Sequence, residues 1–510
     1  MLFRIIQQKM NERSNVLIIG AGFSGLSAAA YLAKAGHKVT VIEKNSTAGG
    51  RARKFSHSGY TFDMGPSWYW MPDIFDTFFA DFNRKVSDYY ELLRLDPSYK
   101  IYFGKDNEVQ LPAGVDKIYE LYESLEPGSS VQLKKFLEEA GIKYNIGMGE
   151  MVHKPSHSVT EFMNWKVIKA GFKLNMFNSF ASYTKRYFKN PFIRRMLEFP
   201  VLFLGGTAES TPALYSLMNY SDMVQGTWYP KGGMYKVVEA MVEVCKEFGV
   251  DFIYNTEVTA IHVNEKSIYN VETTSNNSKK QFQPDFVIAS GDYHHIEQEL
   301  LPEEYRKYDA SYWNKRTLSP SSIIFYLGFN TRIPELEHHT LLFDEDFEGH
   351  AASIYLKPAW PENPSVYVSC TSKTDDTVAP QGHENLMVLI PVAPGLEDTE
   401  EVRQKYLEHV IMRLERYTGR NISENLVYTR IYAHSDFEKD YNAFKGNAYG
   451  LANTLLQTAF LKPSMRNPKI KNLIYAGQLT VPGPGVPPAI ISGQMAANEI
   501  IKLIEKLPTV

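Results

Sequence analysis

The stretch from Val16 to Arg53 limits what this chain can fold into more than any other. Val16-Leu17-Ile18-Ile19 is an apolar run long enough for one buried strand, and Gly20-Ala21-Gly22-Phe23-Ser24-Gly25 follows at once. Leu26 to Ala35 then reads as a helix stopped by Gly36, and Lys38 to Ile42 as a second strand ending on Glu43. A strand, a G-x-G-x-x-G turn, a helix and an acidic residue closing the next strand predict a β–α–β unit that binds a dinucleotide. Gly20 allows the tight turn, Gly22 leaves room for a pyrophosphate, and Gly25 lets helix and strand approach. The helix N-terminus offers unpaired N–H groups and a partial positive charge to that pyrophosphate, with Phe23 and Ser24 of the turn before it also expected at the cofactor. Glu43, with Lys44 beside it, is placed to accept hydrogen bonds from a ribose diol.

Gly49-Gly50-Arg51-Ala52-Arg53 comes directly after the second strand, where a plain nicotinamide domain would run on into its next crossover. It resembles the G-G-R element of flavoproteins of the glutathione-reductase and amine-oxidase type, in which the glycines and arginine approach the cofactor's diphosphate. The resemblance implies FAD. It also implies an α/β fold: a Rossmann-like FAD-binding domain with an inserted mixed α+β substrate domain.

At 510 residues the chain is long enough for two or three domains, and 44% apolar with 22% charged residues is a globular composition. A net charge of −4 gives no general attraction to nucleic acid, and no nucleic-acid motif is present. The two cysteines, Cys245 and Cys370, are far apart and lack metal-ligand spacing, so neither a disulfide framework nor a zinc site is expected. A reducing compartment follows as the default, and the cytoplasm is the expected location. Met1 to Asn15 carry charges without a long apolar core, so no secretory signal is expected, and Met10 is an alternative start. No apolar run approaches the ~20 residues of a spanning helix. Nothing in the pattern sets an oligomeric state.

Gly59-Tyr60-Thr61-Phe62-Asp63-Met64-Gly65-Pro66-Ser67-Trp68 makes the likeness specific. It resembles the phytoene desaturase group of carotenoid-modifying flavoenzymes, whose members carry such an element after the G-G-R turn. The resemblance places Gly65, Pro66 and Ser67 near the flavin. Trp228-Tyr229-Pro230-Lys231-Gly232-Gly233-Met234 is similar to a second element of that family, and in related flavoproteins a backbone group at the position of Val258 contacts adenine. Gln478 to Ala497, after the strand Asn472–Gly477, resembles the family's C-terminal signature. It implies that Gly477, Gly485 and Val486 lie at the flavin, with a helix N-terminus stabilising negative charge on the reduced ring.

Between these elements the cofactor pattern lapses. The FAD-binding domain is read as 12–75, 221–295 and 426–510, and the substrate domain as 76–220 and 296–425. Ile101–Phe103 and Val109–Leu111 read as strands, as do Ser321–Phe329, Ala351–Leu356, Ser365–Ser369 and Leu386–Val392, while Glu400–Tyr417 reads as an amphipathic helix.

Family membership implies a non-covalent FAD that takes hydride from a carotenoid, with loss of a neighbouring proton to form a C=C bond. The expected reaction is phytoene to lycopene, because Ser67 follows the Gly-Pro where later-acting members more often carry Thr. A 3,4-desaturase, a ketolase-like oxidase or a saturase is the alternative. An amine oxidase, or a non-enzymatic prenyl-lipid-binding relative like the GDP-dissociation inhibitors, fits less well. The former often has a cysteine near the C-terminus for covalent flavin, and the latter does not need intact flavin-facing turns. No catalytic base stands out, and His294-His295 reads as a surface turn.

A carotenoid is dissolved in lipid, so a peripheral membrane contact is expected, on the cytoplasmic membrane. From Trp165 to Leu204 eight basic residues face one acidic residue, Glu198, and ten aromatics interleave with them. Phe172, Met176, Phe180, Tyr183 and Tyr187 recur at helical spacing, which predicts an interfacial helix within about 160–205.

Overall fold

The structure, a computed structural model, describes residues 13–156, 158, 178–203, 205–344, 346–454 and 457–506. Five strands form a parallel sheet: β1 (Asn15–Ile19), β2 (Lys38–Ile42), β3 (Asp251–Ile253), β4 (Phe286–Ala289) and β5 (Leu473–Tyr475). Their order is β5–β4–β1–β2–β3, so the first strand lies at the centre and its neighbours come from far along the chain. Val16 pairs with Phe286 on one side and Val39 on the other. β1, β4 and β5 are buried almost throughout and read as apolar runs, whereas β2 and β3 also carry Lys38, Thr40 and Asp251.

Helix α1 (Phe23–Lys34) packs on this sheet and against helix α2 (Val486–Ile504). The Ala28-Ala29-Ala30 run explains the closeness, since small side chains let α1 be buried on several faces at once. Ser27 Oγ donates to the Ile490 carbonyl at 2.7 Å, and a Cβ on Gly493 would lie 2.2 Å from the Ser24 carbonyl oxygen. A three-stranded antiparallel sheet (Glu257–Asn264, Ser267–Ser275, Ser278–Phe282) attaches beyond β3 in sequence.

The second large sheet has seven strands in the order Leu426–Tyr432, Ser321–Phe329, Glu384–Val392, Val366–Ser369, His339–Leu342, Tyr99–Gly104 and Asn107–Leu111. Along Ser321–Phe329 the faces alternate. Ile323, Phe325, Leu327 and Phe329 join a core with Tyr406, Val410 and Leu414 of the helix Glu400–Thr418. Ser322 and Ile324 face a cavity between the two sheets, and Tyr326, next on that face, donates its hydroxyl to the Met64 carbonyl at 2.8 Å. The two-residue period of the strand thus sends Ser322 and Ile324 to the cavity and their neighbours to the core.

Asp63 ties two sequence elements together. Its carboxylate accepts from the backbone N–H of Met234 (2.7 Å) and of Tyr235 (3.0 Å), at the start of the helix Tyr235–Glu247. The Phe62-Asp63-Met64-Gly65 element and the Gly232-Gly233-Met234 turn are thus held together by a buried carboxylate at a helix N-terminus. Burial pushes the Asp63 pKa up to about 6, with the two backbone donors opposing the shift.

Three expectations need correction. Ala351–Leu356 is not a strand but belongs to the helix Phe347–Tyr355, capped by the Asp346 side chain accepting from Gly349 N–H at 2.8 Å. Its buried residues, His350, Ala351 and Ile354, follow helical spacing. His294-His295 is not a surface turn. Asp292 caps a short helical turn there, the His294 ring stacks on Phe444 with centroids 3.8 Å apart, and His295 lines the cavity.

The third correction concerns the amphipathic stripe. Trp165, Lys166, Lys169, Phe172, Lys173, Met176 and Phe177 lie outside the described residues. Further on, Phe180 and Tyr183 are fully buried in a core with Phe136 and Phe199 and do not form an apolar surface. Lys185, Arg186 and Lys189 of the same region are exposed.

Candidate functional site

A cavity of about 420 Å³ opens at the C-terminal ends of β1, β2 and β4, where ligands bind in open α/β sheets. Of the residues predicted from the sequence, all but Gly25 line it. Gly25 has the other glycine role: a Cβ there would lie 2.0 Å from the Gly20 carbonyl oxygen, so it is where helix meets strand. Gly20 turns the chain at φ +100°. Gly22 has an ordinary φ of −74°, and no protein atom lies within 4 Å of where its Cβ would point. The requirement for glycine at this position is therefore room for something other than the protein itself, with Phe23 and Ser24 bordering the same space.

Glu43 is nearly buried at the end of β2. One carboxylate oxygen accepts from Ala21 N–H at 2.9 Å, and the other from the backbone N–H (2.8 Å) and side-chain amide (2.9 Å) of Asn45. Lys44 turns away to Asn442 Oδ1 (2.8 Å) and Glu257 (3.3 Å), close to Val258 on the cavity wall. Gly49 donates to the Ala21 carbonyl at 2.8 Å, and a Cβ on Gly50 would stand 3.3 Å from Gly22 Cα, so the two glycine turns touch.

Arg51 is half-buried beside the Tyr441 ring, 5.2 Å from its centroid, and donates to the Asn447 carbonyl at 3.1 Å. Its Nε has no partner. Burial lowers the Arg51 pKa and raises that of Asp292, and each charge opposes the shift of the other. A Cβ on Gly65 would sit 2.6 Å from the Arg51 carbonyl oxygen, which presses the Gly65-Pro66-Ser67 segment against this turn. On the far side Gly477 (φ +109°) donates to Ser492 Oγ at 3.0 Å, and Gly485 (φ +116°) precedes Val486, where α2 opens on the cavity with prolines in its first turn.

The charged lining residues, Glu43, Lys44, Arg51, Glu257, Asp292 and Asp440, gather at the nucleotide-turn end. The remainder of the wall is uncharged: Trp68, Trp70, Met218, Ile324, Leu389 and Tyr367 contribute to it. Ile324, Leu389 and Tyr367 are consecutive partners across three strands and form one row on the inner face of the seven-stranded sheet.

Over residues 23–501 the chain matches the flavin containing amine oxidoreductase family. It is 40% identical over 489 residues to a carotenoid 3,4-desaturase of Haloarcula japonica, a match covering 96% of this chain and 98% of the relative. It is 30% identical over 503 residues to the 4,4'-diapophytoene desaturase (4,4'-diaponeurosporene-forming) of Staphylococcus aureus strain Newman, covering 96% and 99%. The chain belongs to the carotenoid desaturase family. Among solved structures, an oxidoreductase from Methanosarcina mazei aligns with a TM-score of 0.60 at 15% identity, over 96% of this chain and 100% of that one, a likeness of fold alone. The protein is an FAD-dependent oxidoreductase acting on CH–CH bonds.

The residues fit FAD. A void at Gly22, an unpartnered guanidinium nitrogen on Arg51 and a helix N-terminus suit a diphosphate, and a carboxylate at the end of β2 suits a ribose. In this desaturase-family fold several wall residues were not assigned to the site from the sequence: Asp292, His295, Tyr441 and Asn442. Asp292 carried a signal, since it directly follows the Ser290-Gly291 turn and caps the next helical turn by accepting from His295 N–H at 3.1 Å. Tyr441 and Asn442 carried none, because they arrive from a segment with no flavin motif.

Proposed function

We propose that this enzyme desaturates a long, linear carotenoid near one end of its chain. The observation that carries the substrate class is the division of one cavity into a charged nucleotide end and an uncharged, aromatic-walled end. The latter has no charged group among the described residues to pair with a polar substrate, and it buries apolar surface well. The preference for a terminal C3–C4 bond is supported by the greater identity to the carotenoid 3,4-desaturase, 40% against 30% for the diapophytoene desaturase. Conversion of phytoene to lycopene is a second reading, favoured by Ser67 in the motif after Gly65-Pro66.

FAD held by the Gly22, Glu43, Gly50 and Arg51 turns supplies the hydride acceptor. The protein's part is to position, to exclude water and to stabilise charge. The N-terminus of α2 faces the cavity and favours negative charge there. The faces of Trp68 and Trp70 favour positive charge developing on the substrate. Access from a membrane surface is part of the proposal: no helix among the described residues is long and apolar enough to span one. Lys185, Arg186 and Lys189 are exposed and supply roughly 1 kcal/mol each near anionic lipid. Their joint change to Glu should weaken co-sedimentation with anionic liposomes at low salt, and unchanged binding would remove this patch from the proposal.

The test of substrate is to give purified holoenzyme phytoene and lycopene in liposomes and record visible spectra. A red shift from lycopene with phytoene untouched is expected. Lycopene formed from phytoene would establish the second reading instead, and no change in any carotenoid would overturn both.

A further inference from the structure

The cavity wall has so far been given no group to receive the proton that desaturation releases. We propose that Ser67, Tyr367 and His339 form a relay that carries this proton from the cavity wall into the core. The proposal rests on the desaturation reading above. Ser67 and Tyr367 both line the cavity; the Tyr367 hydroxyl donates to Ser67 Oγ at 2.7 Å and lies 2.8 Å from His339 Nδ1. His339 is fully buried, and its Nε2 has no partner among the described residues. Its ring lies parallel to that of Trp68, centroids 4.0 Å apart and planes 16° apart, and Trp68 also faces the cavity.

Sheet register accounts for the arrangement. His339 is paired with Ser369 and Leu341 with Tyr367, so His339 and Tyr367 are diagonal neighbours on one face of two antiparallel strands. Ser67 is brought to them by the segment that Gly65 presses onto Arg51, anchored by Tyr326 on the Met64 carbonyl. Three distant parts of the chain thus meet in a line of hydrogen bonds whose outer member touches the substrate space. Burial, reinforced by the neighbouring His338, holds the His339 pKa well below its ordinary value, so the ring starts neutral and is a weak base, suited only to a proton as acidic as one beside a polyene cation. A buried imidazole with an unused nitrogen is costly unless it is needed.

The chemistry balances. One hydrogen leaves the substrate as hydride, taking both electrons of its C–H bond to the cofactor, and leaves a positive charge delocalised over the polyene. The proton on the adjacent carbon is then acidic enough for a hydroxyl oxygen to take it. Once the Tyr367 hydroxyl has turned from Ser67 Oγ to His339 Nδ1 and the Ser67 hydroxyl to the Tyr367 oxygen, the substrate proton bonds to Ser67 Oγ while the Ser67 proton passes to the Tyr367 oxygen and the Tyr367 proton to His339 Nδ1. The electron pair of the second C–H bond closes the new C=C bond. Imidazole, its other proton on Nε2, becomes a cation against the Trp68 π face, an arrangement that stabilises it. Ser67 is the catalytic residue, and Tyr367 and His339 are positioning residues that act through it.

The test compares wild-type holoenzyme with Tyr367→Phe, His339→Gln and the double variant, on a carotenoid that the wild type converts. Each single change should lower kcat about 100-fold, at the low end of what general acid–base groups contribute. KM, bound FAD and the thermal midpoint should stay unchanged. The double variant should be no slower than Tyr367→Phe, because the first cut already disconnects the relay. Ser67→Ala cuts the same line from the cavity side, should loss of the phenol hydroxyl disturb the sheet. Wild-type kcat in either Tyr367→Phe or Ser67→Ala, with FAD bound, would overturn the relay, as would rate losses that multiply in the double variant. A wild type inactive on every carotenoid would instead overturn the desaturation reading, so the two failures are distinguishable.

Discussion

Two glycines three residues apart should separate folding from cofactor binding. At Gly25 a Cβ would stand 2.0 Å from the Gly20 carbonyl oxygen and 2.9 Å from Ser290 Oγ. Relief requires α1 to retreat from β1 by about 1 Å, backbone from backbone, and overpacking of this kind costs about 1–3 kcal/mol or more. Gly25→Ala should therefore lower the stability of the apoprotein itself by at least that range's upper end. At Gly22 the added methyl meets no protein atom within 4 Å, and φ −74° suits alanine. The apoprotein should tolerate Gly22→Ala within about 0.5 kcal/mol. FAD should not. A methyl in that void displaces the diphosphate from the first N–H groups of α1, and two charge-assisted hydrogen bonds at about 1.5 kcal/mol each make 3 kcal/mol, or roughly 100-fold in Kd. Urea denaturation of both apoproteins and titration with FAD, followed by flavin fluorescence, measure the two quantities separately. A Gly22→Ala protein that binds FAD within twofold of wild type would refute the placement of the diphosphate, and a Gly25→Ala apoprotein of unaltered stability would refute the packing argument.

Acid precipitation should release all flavin into the supernatant, because Cys245 and Cys370 are buried free thiols outside the cavity lining; flavin retained in the pellet would contradict non-covalent binding. Arg51→Met should weaken FAD binding by about 10- to 100-fold through loss of a charge-assisted contact, and should raise the Asp292 pKa further by removing its compensating cation; unchanged FAD affinity by equilibrium titration would remove Arg51 from the site. Asp63 has a folded pKa near 6 against an ordinary value of 3.8. Between those values the folded state holds the proton more tightly than the unfolded state, so its contribution to stability falls as pH rises. The unfolding free energy of wild type minus that of Asp63→Asn should drop by about 3 kcal/mol from below pH 4 to above pH 6, and a flat difference in urea denaturation would refute the burial argument.

Local features were legible and non-local ones were not. The β1–α1–β2 unit was readable because strand, glycine turn, helix and Glu43 follow one another within a single stretch, and the helix differs from expectation only at its ends, Phe23–Lys34 rather than Leu26–Ala35. Ala351–Leu356 was misread because a short apolar run does not distinguish strand from helix; the Asp346 cap lay just outside the run considered. For Phe180 and Tyr183 the helical spacing was right, but amphipathicity alone does not say whether the apolar face meets lipid or the protein's own core. The Ser67–Tyr367–His339 line was invisible for a different reason. No two of its members are closer in sequence than His339 and Tyr367, and only the register of two strands brings even those together.

The sheet order has a consequence for how the protein is made. β1 pairs with β4, and β4 with β5, so the central strand and its glycine turn are completed by residues near 288 and 474. At about 5–20 residues per second of synthesis, the first strand emerges roughly 20–90 s before β5. Through that interval β1 has β2 on one side, but its other edge and the face of α1 that meets α2 lack their partners, and the pocket for the flavin has only part of its wall. Ser27 meets Ile490 and Gly493 meets Ser24 only when α2 has been translated. Cofactor uptake is thereby expected to be a late event, timed by the ribosome's arrival at the last helix.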